Sequence, residues 1–297
     1  MDELKQCAGC NSEDTKIDKK AAYLLGLPHE ICILRCKHCG LRWLNPMKSL
    51  EEYRELYKFS YFEDLPENYE RVANQRLMHY KGRIQKIKKL IKRSNIELLD
   101  VGAATGEFVN EAKKAGITAT GVEPSSMACL LAKEKYNIEM IQGDILNIEF
   151  GKSTCDIIHM NHVLEHIVLP NKLLSKLNQI LKKGGYLVIE VPCQFGNIMM
   201  QLLNFFHLLE PQHFSMYSIH HPFFYTPQSL RVILEKHGFT IERLRSWLPY
   251  LSVKLRFAQE YCKYPPIKFF EKYLRLMHMV LQEKGQFVFT EVYARKI

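Results

Sequence analysis

The pattern of apolar and polar stretches after residue 95 predicts strands that alternate with helices. Several apolar runs of strand length end in a polar side chain, at Asp100, Glu123, Asp144 and Asn161. The predicted strands cover 96–100, 117–123, 138–144, 155–161 and 183–192, the predicted helices cover 107–115, 125–135 and 171–182, and a last strand pair is expected at 239–247 and 286–295. This alternation favours an α/β fold with a doubly wound, mostly parallel sheet, whose ligands bind at the carboxyl ends of the strands.

Residues 49–93 have the pattern of helices. In the stretch 81–93, Ile84, Ile87 and Ile91 recur at helical spacing, and the same stretch holds seven cations and no acid. One face of this helix is therefore apolar and the other is basic. A basic face suits contact with RNA or a membrane surface, but lysines on a packed surface helix are more common, and we favour that interpretation.

The composition is that of a folded chain with an excess of positive charge. Of 297 residues, 47% are hydrophobic and 25% are charged, so the chain can bury a core and is not disordered by composition. The formal net charge of +9 permits binding to nucleic acid, anionic lipid or an acidic small substrate, and it selects none of them. The sequence has no run of about 18 apolar residues, and its acidic first residues do not resemble a secretory signal. We therefore expect a cytoplasmic protein without a transmembrane segment.

Five of the nine cysteines lie within the first 39 residues. Among them, Cys7 with Cys10 and Cys36 with Cys39 form two Cys-x-x-Cys pairs. In a reducing compartment, such pairs favour a closed tetrahedral zinc site over disulfides. Two apolar stretches between the pairs, separated by a Gly-Leu-Pro turn, predict a β-hairpin and hence a zinc ribbon. A redox dithiol or unliganded thiols are the alternative, and Cys32 is a spare ligand candidate.

The segment after the first predicted strand holds the small residues of a ligand-binding turn. Gly102 and Gly106 allow the backbone to approach a ligand closely, and the next helix begins with free N–H groups. The Gly-x-x-x-Gly spacing is neither the dinucleotide fingerprint nor a phosphate-binding loop. Glu123 ends the second strand, where an acid can accept both hydroxyls of a ribose. Acids at strand-to-helix turns also cap helices, so helix capping is an alternative role for Glu123 and for Asp144.

Four motifs, taken in order, resemble the class I S-adenosylmethionine-dependent methyltransferases. They are Asp100-Val-Gly-Ala-Ala-Thr-Gly106, Gly121-Val-Glu-Pro124, Gly143-Asp144-Ile145 and His162-Val-Leu-Glu-His166. The likeness covers about 95–245 and the last strand, and it implies a Rossmann-like, seven-stranded sheet. The cysteine pairs, with the residues up to 46, resemble the zinc-binding segment fused to some of these enzymes, notably sugar and polysaccharide methyltransferases. Ala104 departs from the third glycine that many members carry.

The resemblance implies a role for each matching residue. The residues of the loop under the methionine moiety would be Asp100, Gly102, Ala104 and Gly106. Glu123 would hold the ribose hydroxyls. Asp144 would bind the adenine amino group with Ile145 against the ring, and Asn161 would lie near the methyl group. The implied cofactors are S-adenosyl-L-methionine and a structural Zn²⁺ held by Cys7, Cys10, Cys36 and Cys39.

A hydroxyl acceptor also needs a base of near-neutral pKa, for which histidine is the usual side chain. His162, which follows the fourth strand, is our first candidate for the catalytic base, and His221 is the second. The stretch 162–166 also matches the His-x-x-Glu-His pattern of some zinc proteases. That interpretation leaves the glycine turn, Glu123 and Asp144 without a role, so we do not favour it.

We therefore expect three regions in the chain. A zinc ribbon at 1–48 is followed by a helical bridge or lid at 49–94 and a methyltransferase domain at 95–297, with helical insertions near 196–225 and 250–284. Apolar helices at 198–209 and 267–281 are interpreted as core or dimer packing. The alternative for these helices is a lid over a hydrophobic acceptor or a peripheral membrane contact.

The expected reaction is O-methylation of a small-molecule acceptor such as a sugar, a nucleotide-sugar or a glycolipid intermediate. Two other functions stay open. One is an RNA methyltransferase that uses the ribbon and the basic helix. The other is a non-catalytic zinc-ribbon interaction protein. The sequence leaves the oligomeric state undetermined.

Overall fold

The computed structural model describes residues 6–53, 69–193, 195, 221–247 and 289–297. The strands are β1 (Thr15–Ile17), β2 (Cys32–Cys36), β3 (Arg42–Asn45), β4 (Glu97–Val101), β5 (Thr118–Glu123), β6 (Ile141–Gln142), β7 (Cys155–Asn161), β8 (Leu181–Pro192), β9 (Phe223–Phe224), β10 (Phe239–Trp247) and β11 (Phe289–Lys296). The helices are α1 (Lys19–Leu25), α2 (Tyr69–Leu90), α3 (Glu107–Lys114), α4 (Ser126–Tyr136), α5 (Pro170–Ile180) and α6 (Pro227–Lys236), with a 3₁₀ turn at Leu164–His166.

Seven strands form the larger sheet, in the order β10-β11-β8-β7-β4-β5-β6. The neighbours from β8 to β6 pair in parallel, whereas β11 runs antiparallel to both β8 and β10. The predicted doubly wound, mostly parallel sheet is confirmed. The carboxyl ends of β4, β5, β6, β7 and β8 therefore lie along one edge, which is where such sheets bind ligands.

The smaller sheet is antiparallel, in the order β1-β2-β3-β9. Its last strand comes from the second half of the chain, and Trp43 of β3 pairs with Phe223 of β9. Both side chains are fully buried, in one apolar core that runs from the amino-terminal segment into the larger sheet. The amino-terminal segment is thus packed on the larger sheet and shares its core.

The predicted hairpin between the cysteine pairs is only partly right. Its first apolar stretch forms helix α1, because the Asp18 carboxylate accepts the Ala21 N–H at 3.1 Å and Gly26 ends the helix in a left-handed conformation. Lysine, alanine and leucine favour a helix once both ends are capped in this way. The antiparallel pairs are instead β1 with β2 and β2 with β3.

Helix α2 packs against the sheet through its apolar face, as its spacing predicts. Ile84, Ile87 and Ile91 are buried in a second core cluster. The basic face is not uniform, however, since Lys81 is 63% exposed while the side chain of Arg83 is fully buried. The interpretation of solvated lysines on a packed helix therefore misses one buried cation.

Strand β6 is shorter than predicted, since only Ile141–Gln142 pairs with β5. The apolar segments at 198–209 and 267–281 lie outside the described residues. Among the described helices, none combines the length and the apolar character that crossing a bilayer requires.

Candidate functional site

The glycine loop after β4 alternates left-handed residues. Gly102, Ala104 and Gly106 have φ angles of +70°, +47° and +79°. The left-handed region is uncommon for a residue with a side chain, so a glycine would adopt this conformation more easily than Ala104 does. A Cβ atom added to Gly102 would lie 2.5 Å from Val163 Cγ2. The loop therefore packs directly on the segment that follows β7.

Glu123, at the end of β5, holds the glycine loop. Its two carboxylate oxygens accept the backbone N–H groups of Ala104 at 2.9 Å and Ser125 at 3.1 Å. Glu123 is 6% exposed, and its burial raises the pKa of the carboxyl. Each oxygen still has a second lone pair, so the carboxylate can accept further hydrogen bonds.

The turn after β6 lies beside Glu123. The Gly143 N–H donates to the Glu123 carbonyl oxygen at 3.0 Å. The next residue, Asp144, is half-buried, and its carboxylate accepts the Leu146 N–H at 2.9 Å. Ile145 is buried in the core. Three strand ends thus bring the glycine loop, Glu123 and Asp144 to one edge of the sheet.

Arg83 lies under this edge with every N–H donor of its guanidinium engaged. Nε donates to Glu291 Oε1 at 2.9 Å. Nη1 donates to His159 Nε2 and to Asn161 Oδ1, at 2.9 Å each. Nη2 donates to His79 Nε2 at 2.6 Å and to Glu190 Oε2 at 2.5 Å. Burial disfavours the charged form of Glu190, yet the charge of Arg83 and the contact with His162 hold its pKa well below the usual value. Glu291 is lowered in pKa for the same reason, chiefly by Arg83 and Lys86.

His159 joins this cluster to the glycine loop. Its Nδ1 lies 2.7 Å from Asp100 Oδ1, and both side chains are buried. Burial lowers the pKa of His159, so the ring is neutral. Because an arginine can only donate, Nε2 accepts from Arg83 and Nδ1–H donates to Asp100. A continuous chain of hydrogen bonds therefore runs from α2 to the start of the loop.

His162 follows β7 in a left-handed conformation, with a φ of +57°. Its Nε2 lies 3.3 Å from Glu190 Oε1, and its Nδ1 lies 3.4 Å from Glu165 Oε1. Desolvation lowers the pKa of His162, but the close carboxylates of Glu165 and Glu190 outweigh it and raise the pKa to about 9. The ring is therefore mainly an imidazolium at neutral pH.

A second cluster lies next to His162 and contains Glu165, His166 and His221. Its three ligand-type atoms lie within 4.8 Å of one another. The rings of His166 and His221 meet edge to face with centroids 4.4 Å apart. Glu165 is 1% exposed, and neither of its carboxylate oxygens accepts a hydrogen bond from the described residues. Burial raises the pKa of Tyr225, and the charge of Glu165 raises it further.

The four predicted zinc ligands converge in the amino-terminal segment. Cys7 Sγ lies 3.4 Å from Cys39 Sγ, Cys10 Sγ lies 3.5 Å from Cys36 Sγ, and all four sulfurs are within 4.8 Å of one another. A tetrahedron of Zn–S bonds has edges of about 3.8 Å. Backbone N–H groups also face these sulfurs, from Cys10 and Gly9 onto Cys7 and from Leu41 onto Cys39.

The sequence pattern does not reveal the buried charges that support the site. Arg83 lies among surface cations along the chain, and Glu190 and Glu291 lie inside apolar strands. An acid in the middle of a buried strand requires a cation or several donors. These two acids therefore indicate a buried partner, but the sequence does not show which cation is that partner. The candidate Asn161 is placed in this cluster through its contact with Arg83.

Comparisons with known proteins agree with this architecture. A family profile described as a methyltransferase domain matches residues 70–244. The ubiquinone/menaquinone biosynthesis C-methyltransferase UbiE of Campylobacter jejuni is 26% identical over 113 residues, which cover 35% of this chain and 48% of that protein. An uncharacterized methyltransferase of Bacillus thuringiensis is 32% identical over 114 residues, or 37% of this chain and 52% of the relative. The chain spans about half the length of these curated relatives.

The crystal structure of an S-adenosylmethionine-dependent methyltransferase from Thermotoga maritima shares the fold. It superposes with a TM-score of 0.52 at 20% identity, over 80% of this chain and 98% of that one. The family match over 70–244 covers more than half of the sequence. The chain therefore belongs to the methyltransferase-domain family.

Proposed function

We propose that S-adenosylmethionine binds at the ends of β4, β5 and β6, and that the protein methylates an oxygen of a small-molecule acceptor. The observation that carries the proposal is the convergence of the glycine loop, Glu123 and Asp144, linked by the Ala104–Glu123 and Gly143–Glu123 hydrogen bonds. The residues present suit the cofactor. Left-handed glycines bring backbone close to a ligand, and Glu123 keeps acceptor capacity for two ribose hydroxyls.

The proposed contacts follow the strand ends. Asp100, Gly102, Ala104 and Gly106 support the methionine part of the cofactor. Glu123 accepts the ribose hydroxyls, Asp144 binds the adenine amino group, and Ile145 lies against the ring. Asn161 lies towards the methyl group, where its contact with Arg83 fixes its amide.

When bound, the cofactor supplies a methyl group on a positively charged sulfur. The protein has to align the acceptor with that methyl, and orientation of this kind contributes about 7–11 kcal/mol in favourable cases. Val163 against Gly102 places the segment at 162–166 beside the cofactor loop. This segment and the residues after 221 would therefore line the acceptor side.

We propose different roles for the two candidate histidines. His162, with its pKa raised to about 9, is poorly suited to accept a proton at neutral pH. As an imidazolium it would instead stabilise negative charge that develops on the acceptor. His221 lies beside His166 and is the remaining candidate base in the described part of the acceptor side.

The proposed acceptor is a sugar, a nucleotide-sugar or a glycolipid intermediate. The polar character of the acceptor side supports this class, since Glu165, His162, His166 and His221 all face one another there. The relatives named for C-methylation favour a second candidate, transfer to carbon of an enolisable acceptor.

Transfer from ¹³C-methyl-labelled cofactor distinguishes these reactions. The protein would be incubated with separate panels of nucleotide-sugars, isoprenoid-linked sugars, quinone precursors and RNA. Because the ¹³C chemical shift of a methyl on oxygen differs from that of a methyl on carbon or nitrogen, one spectrum identifies the accepting atom. We expect O-methylated small molecules. Labelling confined to RNA, or to carbon, would contradict the proposed acceptor.

Substitution of Glu123 tests the cofactor site. Hydrogen bonds to a charged group contribute about 1.5–3 kcal/mol, so Glu123→Gln should raise the Kd for S-adenosylhomocysteine by about tenfold or more in calorimetry. Glu134→Gln is the matched control, because Glu134 is an exposed acid on the next helix. An unchanged Kd in Glu123→Gln would place the cofactor elsewhere.

We also propose that the four cysteines hold a structural Zn²⁺. The close cluster of four sulfurs and the N–H groups that face them support this proposal. Four reduced thiolates are stable in a reducing compartment, which agrees with a cytoplasmic protein. In this proposal the ribbon at 1–48 contributes to folding, whereas residues 54–68 of the expected bridge or lid at 49–94 lie outside the described residues.

A further inference from the structure

The described residues contain two clusters of histidine and carboxylate side chains near the edge of the larger sheet where β4, β5, β6, β7 and β8 end. We call this the active edge. One consists of His79, Glu190 and Glu291, and the other consists of Glu165, His166 and His221. In the first cluster, the guanidinium of Arg83 lies between the two carboxylates and bonds both of them. That cluster already has its cation, so it offers no metal site.

The second cluster differs in how its carboxylate is satisfied. Glu165 is almost fully buried, but neither of its oxygens accepts a hydrogen bond from the described residues. Its nearest nitrogens are His162 Nδ1 at 3.4 Å and His166 Nε2 at 4.0 Å, both too long for a good hydrogen bond. The charge of the His162 imidazolium is also shared with Glu190, which lies 3.3 Å from its other ring nitrogen. A buried carboxylate in this state is costly unless a cation or several donors satisfy it.

We propose that Glu165, His166 and His221 bind a divalent transition-metal ion. Two imidazoles and one carboxylate suit ions such as Mn²⁺, Fe²⁺ and Zn²⁺, and they leave coordination positions open. Bonds of about 2.1 Å place ligand atoms up to about 4.2 Å apart, so the present limit of 4.8 Å needs only small side-chain rotations. The buried hydroxyl of Tyr225, which has no hydrogen-bond partner among the described residues, lies near the charge of Glu165.

The proposal of a bound ion rests on the proposed function, and it narrows the class of acceptor. Open positions on the ion suit an acceptor with two adjacent oxygens, such as a vicinal diol. Binding to the ion makes an acceptor hydroxyl more acidic, so its proton leaves to solvent. The acceptor oxygen then forms the bond to the methyl carbon, while the bond between that carbon and sulfur breaks and its electron pair stays on sulfur. In this arrangement His221 is a metal ligand, and no proton transfer to it is needed.

Manganese titration of the full-length protein tests the site without an activity assay. The protein is first saturated with Zn²⁺ at its cysteine site and freed of excess metal, because Mn²⁺ has little preference for thiolates. Electron paramagnetic resonance then counts bound Mn²⁺. We expect about one bound ion in the wild type and an affinity at least about tenfold weaker in His166→Ala, His221→Ala and Glu165→Gln.

His29→Asn is the matched control, because His29 is an exposed histidine far along the chain from this cluster. The Mn²⁺ affinity of this variant should equal that of the wild type. Glu165→Gln preserves the shape of the buried side chain, so it tests the site even if an alanine variant unfolds. The proposal is overturned if the wild type binds no Mn²⁺, or if all three variants bind it as the wild type does. Calorimetry with S-adenosylhomocysteine separates the two proposals, since intact cofactor binding without Mn²⁺ binding removes only the metal site.

Discussion

At the scale of single residues, Arg83 organises most of the buried charge below the active edge. Its side chain is fully buried, and it bonds Glu190 and Glu291, which are also almost fully buried. The same guanidinium reaches Asp100 through His159. One arginine on helix α2 thereby fixes groups on four strands of the sheet, three of them directly and one through His159.

Replacing Arg83 with an apolar side chain should destabilise the protein strongly. Arg83→Met leaves two buried carboxylates without their cation, and breaking a buried pair in this way costs about 3–5 kcal/mol. Urea denaturation measures the change in the free energy of unfolding. Arg231→Met is the matched control, because Arg231 forms an exposed pair with Glu235 and should lose less than about 0.5 kcal/mol. Equal losses in the two variants would show that Arg83 has no special role.

Sequence reasoning at this scale succeeds where the constraint is local. Left-handed backbone at Gly102 and Gly106 is a property of glycine, so a glycine-rich turn can be recognised from sequence. The partners of Arg83 are between 4 and 208 residues away along the chain. No pattern around Arg83 separates it from the lysines beside it, because only the packing of α2 on the sheet decides which cation is buried.

At the scale of secondary-structure elements, two tight turns of the amino-terminal segment bring four sulfurs together. A Cβ atom added at Gly9 would lie 3.2 Å from Cys39 Sγ and 3.5 Å from Cys7 Sγ, so glycine leaves room for the sulfurs. The cysteine spacing predicts this cluster, because each pair lies within a single turn. The sequence pattern fails for helix α1, since its apolar residues suit a strand or a helix and only the caps at Asp18 and Gly26 decide between them.

Loss of one sulfur should release the metal from the ribbon. We expect Cys36→Ser to abolish the thiolate charge-transfer absorption of the cobalt-substituted protein, which reports sulfur ligation alone. Since zinc binding contributes to folding, Tm should fall by roughly 5 °C or more. Cys32→Ser is the control, because Cys32 lies outside the sulfur cluster and should leave the absorption unchanged. A wild type that binds no Co²⁺ would refute the zinc site.

At the scale of the whole molecule, the two sheets share one core through strand β9. This strand has only two residues, and its partner Trp43 lies 180 positions earlier in the chain. Alternation of apolar and polar residues predicts the larger sheet because its strands and helices are sequential neighbours. A two-residue strand has no such pattern, so the packing of the ribbon on the methyltransferase fold was not predictable from sequence.

The buried acids under the active edge also give the global stability a pH dependence. Arg83, His79 and His162 face Glu190, and Arg83 and His162 hold its pKa well below the value of about 4.3 expected in the unfolded chain. A carboxyl whose folded pKa is depressed stabilises the protein fully above its unfolded pKa, and this stabilisation is lost as pH falls through the folded pKa.

In Arg83→Met, burial without the guanidinium should instead raise the pKa of Glu190, so that protonation on acidification relieves the buried charge. The difference in unfolding free energy between wild type and Arg83→Met should therefore be largest at neutral pH and shrink between about pH 6 and about pH 4. Urea denaturation of both proteins over this range measures the difference, and the effect of the proposed zinc site is common to both and cancels. A difference that stays constant or grows on acidification would show that Arg83 does not neutralise Glu190.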